Sequence, residues 1–203
     1  MIRNIVFDMG NVLRDFNPRL STAPYIKDEE DACLVRDTVF GSNEWKLLDR
    51  GAITYEEAQR RWADRLPQRL HAPMAQVVAH WHEHMPEIPG MTALAKALQE
   101  KGYHLYLLSN ASVRYDVFKE LLGPLKYMEG AVVSAYYGYL KPEKELYQAL
   151  FDRYQLKPEE CFFIDDQPLN IQAGRALGMA GHVFDQQNIQ ALRDALREAG
   201  VRL

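Results

Sequence analysis

The sequence lacks several features that mark large classes of proteins. Its only two cysteines, Cys33 and Cys161, lie far apart, which excludes a disulfide framework and a zinc-ligand spacing. It has no run of the roughly 20 apolar residues that a membrane span requires, and its opening, MIRNIVFDMG, lacks the apolar stretch of a signal peptide. It has no excess of positive charge, since 24 basic and 28 acidic residues give a net charge of −4. We therefore expect a soluble, cytoplasmic protein that binds neither nucleic acid nor membranes.

The composition is that of a folded chain. Hydrophobic residues make up 47% of the 203 residues and charged residues 26%, a balance that excludes a disordered protein. This length suits one domain, or one domain that carries an insertion, and it can bury a sizeable core.

The first part of the chain changes from a strand pattern to a helical one. The apolar run 2–7 predicts a buried strand that ends at Asp8. From about residue 18 to residue 89 the apolar spacing predicts helices and no strand. These helices are expected at 29–40, 55–66 and 74–85, the second of them opened by a capping box of Thr54 and Glu57.

After Gly90 helices and strands alternate. The predicted helices are 92–101, 113–122, 142–154 (with a proline in its first turn), 169–177 and 189–198. The predicted strands are 103–108, 130–134, 161–164 and 182–184. This alternation indicates an α/β fold with a parallel sheet covered on both faces, into which the helical block is inserted.

Polar residues follow the ends of the predicted strands, where parallel sheets gather their ligands. The candidate site residues are Asp8, Gly10, Ser109, Asn110, Lys141, Asp165 and Asp166. Three converging carboxylates repel one another unless a hard divalent cation lies between them, and sparse carboxylate ligation suits Mg²⁺. A lysine and a serine hydroxyl at the same edge add positive charge and hydrogen bonds. The set therefore predicts a site for a phosphoryl group.

Each of these residues alone has a simpler interpretation. Asp8 is an ordinary turn residue, Ser109-Asn110 and Asp165-Asp166 are ordinary helix caps, and Lys141 is an ordinary surface lysine. Only their convergence supports a site.

Four segments resemble the motifs of the haloacid dehalogenase-like superfamily, in the family's order. They are FDMGNV at 7–12, LLSN at 107–110, LKPEKELY at 140–147 and FIDD at 163–166. The stretch FGSNEWKLLDRGAITYEEA is similar to the cap insert of the branch whose helical cap follows the first motif. The resemblance implies a three-layer, Rossmann-like core of residues 1–16 and 88–203, with a helical cap of residues 17–87. The first motif is also similar to that of a bacterial sugar-phosphate phosphatase group that includes a glucose-1-phosphate phosphatase.

The resemblance implies a role for each candidate residue. Asp8 would be the nucleophile that forms an aspartyl-phosphate, and it would bind Mg²⁺ together with the Gly10 carbonyl and Asp166. Ser109 and the amide of Asn110 would hold the phosphoryl oxygens. Lys141 would neutralise Asp8 and the phosphate, and Asp165 would share in metal binding or orient Lys141. The implied reaction is Mg²⁺-dependent hydrolysis of a small phosphorylated metabolite, a sugar phosphate such as a sugar-1-phosphate.

Gly10 departs from the pattern of the family's phosphatases. Most of them carry a second Asp at this position, which protonates the leaving group and contributes about 10²–10⁴-fold to the rate. Asp15 is the nearest candidate to replace it, although a solvated loop charge is the favoured interpretation. Without such an acid, leaving-group basicity should govern the rate, which favours sugar-1-phosphates over sugar-6-phosphates.

Two other functions stay open. A haloacid dehalogenase also uses an Asp nucleophile but no metal, so Asp165-Asp166 argues against it. A phosphate-binding protein with little turnover is conceivable because of Gly10. A cluster of His80, His82 and His84 lacks a recognised metal spacing and is interpreted as a solvated helix end. The tryptophans are expected in packing, with those near 45–48 lining the pocket if the cap closes.

Overall fold

Five parallel strands form one sheet at the centre of the protein. The computed structural model describes residues 1–186 and 188–203, and in these ranges the sheet has the order β3-β2-β1-β4-β5. The strands are β1 (Asn4–Phe7), β2 (His104–Ser109), β3 (Gly130–Val133), β4 (Cys161–Asp165) and β5 (Ala180–Val183). Because the first strand lies in the middle, its carboxyl end is flanked by the ends of β2 and β4.

Ten α-helices surround this sheet in the described residues. They are α1 (Pro18–Thr22), α2 (Glu29–Val39), α3 (Asn43–Asp49), α4 (Tyr55–Ala63), α5 (His71–His80), α6 (Met91–Glu100), α7 (Tyr115–Phe118), α8 (Lys144–Tyr154), α9 (Pro168–Ala176) and α10 (Ile189–Glu198). Short 3-10 turns connect several of them.

Both faces of the sheet are buried, which confirms the three-layer arrangement. Successive side chains of a strand point to opposite faces, and those of β1 enter two different apolar clusters. Ile5 and Phe7 pack in a cluster that includes residues of α6 and α10. Val6 packs in the other cluster, with residues of α8 and α9. The core is therefore a parallel sheet between two layers of helices.

The helices between β1 and α6 share an apolar cluster of their own. Trp62 is fully buried at its centre, and α2 and α5 contribute residues such as Val35 and Val77. Thr54 caps α4 by accepting the N–H of Glu57 at 3.2 Å, as predicted. The Glu57 carboxylate pairs with Arg61 in place of the second bond of a capping box.

Two predicted helices differ from the structure. The helix expected at 113–122 is reduced to α7 and a 3-10 turn. Tyr115, Phe118 and Leu122 of this segment are buried, whereas three apolar residues counted toward the predicted helix are more than half exposed: Val113, Val117 and Leu121. The helix expected from Pro142 begins at Lys144. Pro142 lies before it, in a turn in which the Glu143 N–H donates to the Leu140 carbonyl at 2.7 Å.

Two short helices were not predicted. Asn17 caps α1, which has a proline in its first turn, and Ser42 caps α3. Both cap signals are visible in the sequence, but five and seven residues are too few to show a helical period. The omission of α3 matters for the site described below.

No helix in the described part of the chain is long and apolar enough to cross a membrane.

Candidate active site

The central strand and its neighbour bring the predicted carboxylates together. Asp8 follows β1 directly, and its N–H donates to the Ile164 carbonyl of β4 at 2.9 Å. Asp165 is the last residue of β4, and Asp166 follows it. Carboxylate oxygens of Asp8, Asp165 and Asp166 all lie within 4.8 Å of one another. This group is the only set of three or more potential metal ligands found among the described residues.

Lys141 lies between two of these carboxylates. Its Nζ is 2.8 Å from Asp8 Oδ1 and 2.7 Å from Asp165 Oδ2, and it also donates to the Leu108 carbonyl at 2.9 Å. The side chain of Lys141 is 1% exposed and that of Asp165 is fully buried. Burial opposes the charge of Lys141, but attraction to Asp8 and Asp165 outweighs burial and raises the pKa of the ammonium. Lys141 is therefore charged at neutral pH.

The same surroundings act on Asp8. Burial raises the pKa of its carboxyl to about 6, and repulsion by Asp165 adds to this effect, whereas Lys141 opposes it. The Met9 N–H also donates to Asp8 Oδ1 at 2.7 Å. At neutral pH Asp8 is therefore mostly ionised, the state that a nucleophile requires.

Asn110 and Ser109 end β2 at the same edge of the sheet. The Asn110 side chain accepts the Lys141 N–H at 2.7 Å and donates to the Lys141 carbonyl at 3.0 Å. This reciprocal pair fixes the backbone from which Lys141 reaches the carboxylates. Ser109 is 1% exposed, and its hydroxyl makes no hydrogen bond with the described residues, so it remains available to a ligand.

Asp165 and Asp166 have different surroundings. Asp165 accepts the Gln167 N–H at 2.8 Å and two bonds of 3.0 Å from the Asn170 amide, in addition to Lys141. Asp166 is partly exposed and accepts from the Asn11 amide at 3.1 Å and the Gln167 side chain at 2.7 Å. Asp165 is thus buried and hydrogen-bonded through both oxygens, whereas Asp166 is partly exposed. Asn170 escaped the sequence analysis because a helical asparagine gives no local signal.

A cavity of about 130 Å³ adjoins Asp8. Gly10, Asn110 and Ser112 belong to its polar lining. Its apolar and aromatic lining consists of Met9, Phe16, Trp45, Trp81, Met85, Ala111, Tyr115 and Phe118. Trp45 and Trp81 come from the helical segment, residues 17–87, and Trp45 is among the residues expected to line the pocket.

The cavity contains one further carboxyl group that the sequence analysis missed. Asp49, the last residue of α3, lines it together with Asp8. Asp15, the nearest candidate acid in the sequence, is not among the lining residues, which agrees with the favoured interpretation as a loop charge. Asp49 was overlooked because α3 was not predicted, so no element carried it toward the sheet.

The histidine cluster is divided among separate contacts. His80 bonds to Glu83 at 2.8 Å, and His84 bonds to the Tyr25 hydroxyl at 3.0 Å. His82 is buried and stacks on Phe118 with ring centres 5.4 Å apart. The interpretation as a solvated helix end is therefore wrong for His82.

The site is a set of carboxylates and a lysine at the strand ends of a parallel sheet, and comparison with known proteins identifies the family. The model of the haloacid dehalogenase-like hydrolase family matches residues 2–178. The protein belongs to this family and is a hydrolytic enzyme.

Two relatives that are distant in sequence match nearly the whole chain. It is 26% identical to the sesquiterpene phosphatase astK of Aspergillus oryzae, over 89% of each chain. It is 28% identical to a D-ribitol-5-phosphate phosphatase of Bacteroides thetaiotaomicron, over 93% of each chain.

Solved structures show the same fold. A HAD-like family hydrolase of Porphyromonas gingivalis matches with a TM-score of 0.75 and 25% identity, over 97% of this chain and 98% of the other. A HAD family enzyme of B. thetaiotaomicron, solved with magnesium and inorganic phosphate, matches with a TM-score of 0.65 and 21% identity, over 92% and 96% of the two chains.

The burial of Lys141 generates a prediction about stability. Lys141→Met removes the partner of Asp165 and should lower the free energy of unfolding at pH 7 by about 3–5 kcal/mol. The loss should shrink toward pH 5, because burial raises the pKa of Asp8 in the folded state and removal of Lys141 raises it further, so that this carboxyl becomes neutral as the pH falls. Urea unfolding at both pH values measures this.

Lys144→Met is the matched control, since Lys144 is exposed and its substitution should change stability by no more than about 0.5 kcal/mol. Equal losses in the two variants would contradict a special role for the Lys141 pair.

Proposed function

We propose that this hydrolase cleaves small phosphomonoesters through an aspartyl-phosphate on Asp8, with Mg²⁺ as cofactor. The observation that carries the proposal is the position of Asp8, ionised and 2.8 Å from the Lys141 ammonium, with two further carboxylates within 4.8 Å. The names of the two phosphatase relatives support it, as does the relative that binds magnesium and phosphate.

Each residue of the site has its own role in the proposed reaction. Asp8 attacks phosphorus with its free carboxylate oxygen, while Lys141 offsets the repulsion between two anions that must meet. Ser109, whose hydroxyl has no partner among the described residues, and the backbone amide of Asn110 bind the phosphoryl oxygens. The helical segment, residues 17–87, acts as a cap that closes the cavity and keeps bulk water away during attack.

The donor set fits Mg²⁺. All candidate ligands are oxygens, and three carboxylates with one ammonium leave a formal charge of −2 (−3 + 1). Asp8, Asp166 and the Gly10 carbonyl would hold the ion, since no described residue donates a hydrogen bond to that carbonyl. Asp165 is assigned to orienting Lys141, because its oxygens already accept four hydrogen bonds. When bound, Mg²⁺ supplies charge neutralisation to the phosphoryl group.

The lining and the volume of the cavity indicate which class of substrate fits. The sequence alone favours a sugar phosphate such as a sugar-1-phosphate, and one relative is named for a sugar-alcohol phosphate. The cavity wall favours an apolar or aromatic leaving group instead, since eight of its lining residues are apolar or aromatic. A volume near 130 Å³ suits a single ring or a branched chain of about five carbons, as an engineered cavity of about 150 Å³ holds benzene. The relative named for a sesquiterpene supports this second candidate.

The nucleophile is tested by Asp8→Asn. The amide is nearly isosteric but cannot form an acyl phosphate, so phosphate release should fall by at least about 10³-fold while the thermal unfolding midpoint changes little. Asp15→Asn, a change of the same kind in a nearby loop, should retain activity. Turnover of Asp8→Asn within tenfold of the wild-type rate would exclude Asp8 as nucleophile.

The metal is tested by Asp166→Ala. Loss of one oxygen ligand weakens cation binding, so the variant should need at least about tenfold more Mg²⁺ for half-maximal activity and be partly rescued at high Mg²⁺. Phosphate release by the wild-type enzyme should stop in EDTA and return with added Mg²⁺. Undiminished turnover in EDTA would contradict a metal-assisted site and favour the dehalogenase alternative.

The substrate is tested by kcat/KM for three esters that differ in the polarity and size of the leaving alcohol or phenol. A C5 alkyl phosphate and phenyl phosphate should exceed a hexose-1-phosphate by at least about tenfold, because each sugar hydroxyl left without a partner in the apolar cavity costs about 1–3 kcal/mol. A preference for the hexose-1-phosphate would establish the sugar-phosphate candidate in place of the apolar one.

A further inference from the structure

The proposed reaction lacks a proton donor at the position where the chain carries Gly10. An alkoxide is a poor leaving group, and a positioned acid contributes about 10²–10⁴-fold to its departure. Gly10 has no side chain to donate a proton, although the cavity that it lines is where a leaving group would lie. The donor must therefore come from another element.

Asp49 is the one carboxyl group besides Asp8 among the side chains that line this cavity. Tyr115 is the only other acid in the lining, and burial raises the pKa of its phenol to about 12. Ser112 contributes a hydroxyl that is already bonded to Tyr55 at 2.8 Å. The position of Asp49 thus distinguishes it from every other group in the lining.

The backbone around Asp49 is fixed to the core on both sides of the site. Its carbonyl accepts the Ser134 hydroxyl at 2.5 Å, and the same hydroxyl oxygen accepts the Ala111 N–H at 2.9 Å. Arg50 reaches Glu143, two residues beyond Lys141, and donates to the Gly138 carbonyl at 2.9 Å. These contacts anchor the end of α3 to the core, at the cavity that Asp49 and Asp8 both line.

Gly51 allows this close approach. Its φ is +71°, and a Cβ there would lie 2.3 Å from the Ala135 carbonyl oxygen, so only glycine fits. The segment Asp49-Arg50-Gly51 is therefore built as one contact between the helical segment and the core.

We propose that Asp49 is the catalytic acid and base of this hydrolase, supplied by the helical segment in place of the side chain that Gly10 lacks. This inference rests on the proposed phosphatase function. The protonation state agrees with it, because burial raises the pKa of Asp49 to about 8, with a smaller contribution from Asp8. The backbone amide of Ser112 opposes this shift only in part. Asp49 is thus mostly protonated at neutral pH.

The two half-reactions balance as follows. Asp8 attacks phosphorus, the bond from phosphorus to the leaving oxygen breaks, and its electron pair takes the proton of Asp49, so that an alcohol departs. The Asp49 carboxylate then removes a proton from water as the water oxygen attacks phosphorus. The bond from phosphorus to Asp8 breaks, which releases inorganic phosphate and restores both carboxyl groups.

The test compares leaving groups. Single-turnover release of alcohol or phenol is measured over phosphomonoesters from p-nitrophenyl to primary alkyl. Wild-type rates should fall only shallowly as leaving-group basicity rises, because Asp49 protonates the oxygen. This result would replace the steep dependence expected from Gly10 alone. A steep fall in the wild-type enzyme overturns the inference without any variant.

Asp49→Asn should lower the rates for the two kinds of substrate by different factors. The alkyl phosphate should lose about 10²–10⁴-fold, whereas p-nitrophenol release, which needs no proton, should stay within about tenfold. Slow attack by water should then follow a burst of p-nitrophenol, with one phosphorylated Asp8 per enzyme molecule detected by mass spectrometry. Equal losses on both substrates would show a structural role and overturn the inference.

A second substitution provides rescue. A Cβ at Gly10 would meet only Phe16 Cβ, at 3.8 Å, so Gly10→Asp fits and should restore alkyl phosphate hydrolysis to the Asp49→Asn enzyme at least tenfold. Asp15→Asn is the matched control and should keep the shallow wild-type dependence. If the rate of the Asp15→Asn variant instead falls steeply with leaving-group basicity, Asp15 is the acid and the assignment to Asp49 is wrong. If the wild-type enzyme releases phosphate from none of the esters, it is the proposed function that fails.

Discussion

The Lys141 ammonium stands between Asp8 and Asp165 at the end of the central strands, in a place from which water is almost excluded. The side chains of Lys141 and Asp165 are at most 1% exposed, and that of Asp8 is 11% exposed. Charges buried in this way are costly unless each is paired and hydrogen-bonded. Hydrogen bonds from Met9, Asn110 and Asn170 complete this arrangement or keep its members in place.

The fold satisfies this requirement with a second layer of hydrogen bonds. The Asn110 side chain binds the backbone of Lys141 on both sides of its Cα, and Asn170 holds both oxygens of Asp165. Asp165 therefore faces Lys141 without freedom to turn, and Lys141 in turn faces Asp8. These ion pairs and hydrogen bonds offset the cost of burying three charges. Lys141 and Met9 both contact Oδ1 of Asp8, so its other carboxylate oxygen is free of them. The Asp8 carboxylate is therefore ionised, oriented and poorly solvated, as its proposed role of nucleophile requires.

Sequence patterns predicted the part of the site that depends on strand ends. Asp8, Ser109, Asp165 and Asp166 follow or end buried apolar runs, and parallel strands bring their carboxyl ends to one edge whatever the details of packing. Asn170 and Asp49 carry no such signal. Asn170 acts through a helical turn that follows β4, and Asp49 ends a helix of seven residues, too short for its period to be detected.

The same limit explains why Asp15 was the nearest candidate acid in the sequence, although a solvated loop charge was the favoured interpretation. Proximity along the chain favours Asp15, which lies seven residues after Asp8, whereas Asp49 reaches the site only because α3 packs against the core. Contacts between the helical segment and the sheet depend on tertiary geometry that no local pattern encodes. They were therefore outside the reach of spacing arguments, just as the shortened α7 was.

The division between sheet and helical segment has a physical consequence for the chemistry. The sheet edge supplies the charged groups, and the helical segment supplies Trp45 and Trp81 as apolar walls and Asp49 as a single carboxyl. Apolar walls lower the local dielectric, which strengthens the pairing of Lys141 with Asp8 and also disfavours ionisation of Asp49. The same apolar surroundings therefore have opposite effects on two carboxyl groups. Asp8 stays ionised because Lys141 faces it, whereas Asp49 stays protonated because burial dominates its pKa. Two aspartates that line one cavity thus acquire the opposite proton states that a nucleophile and an acid require.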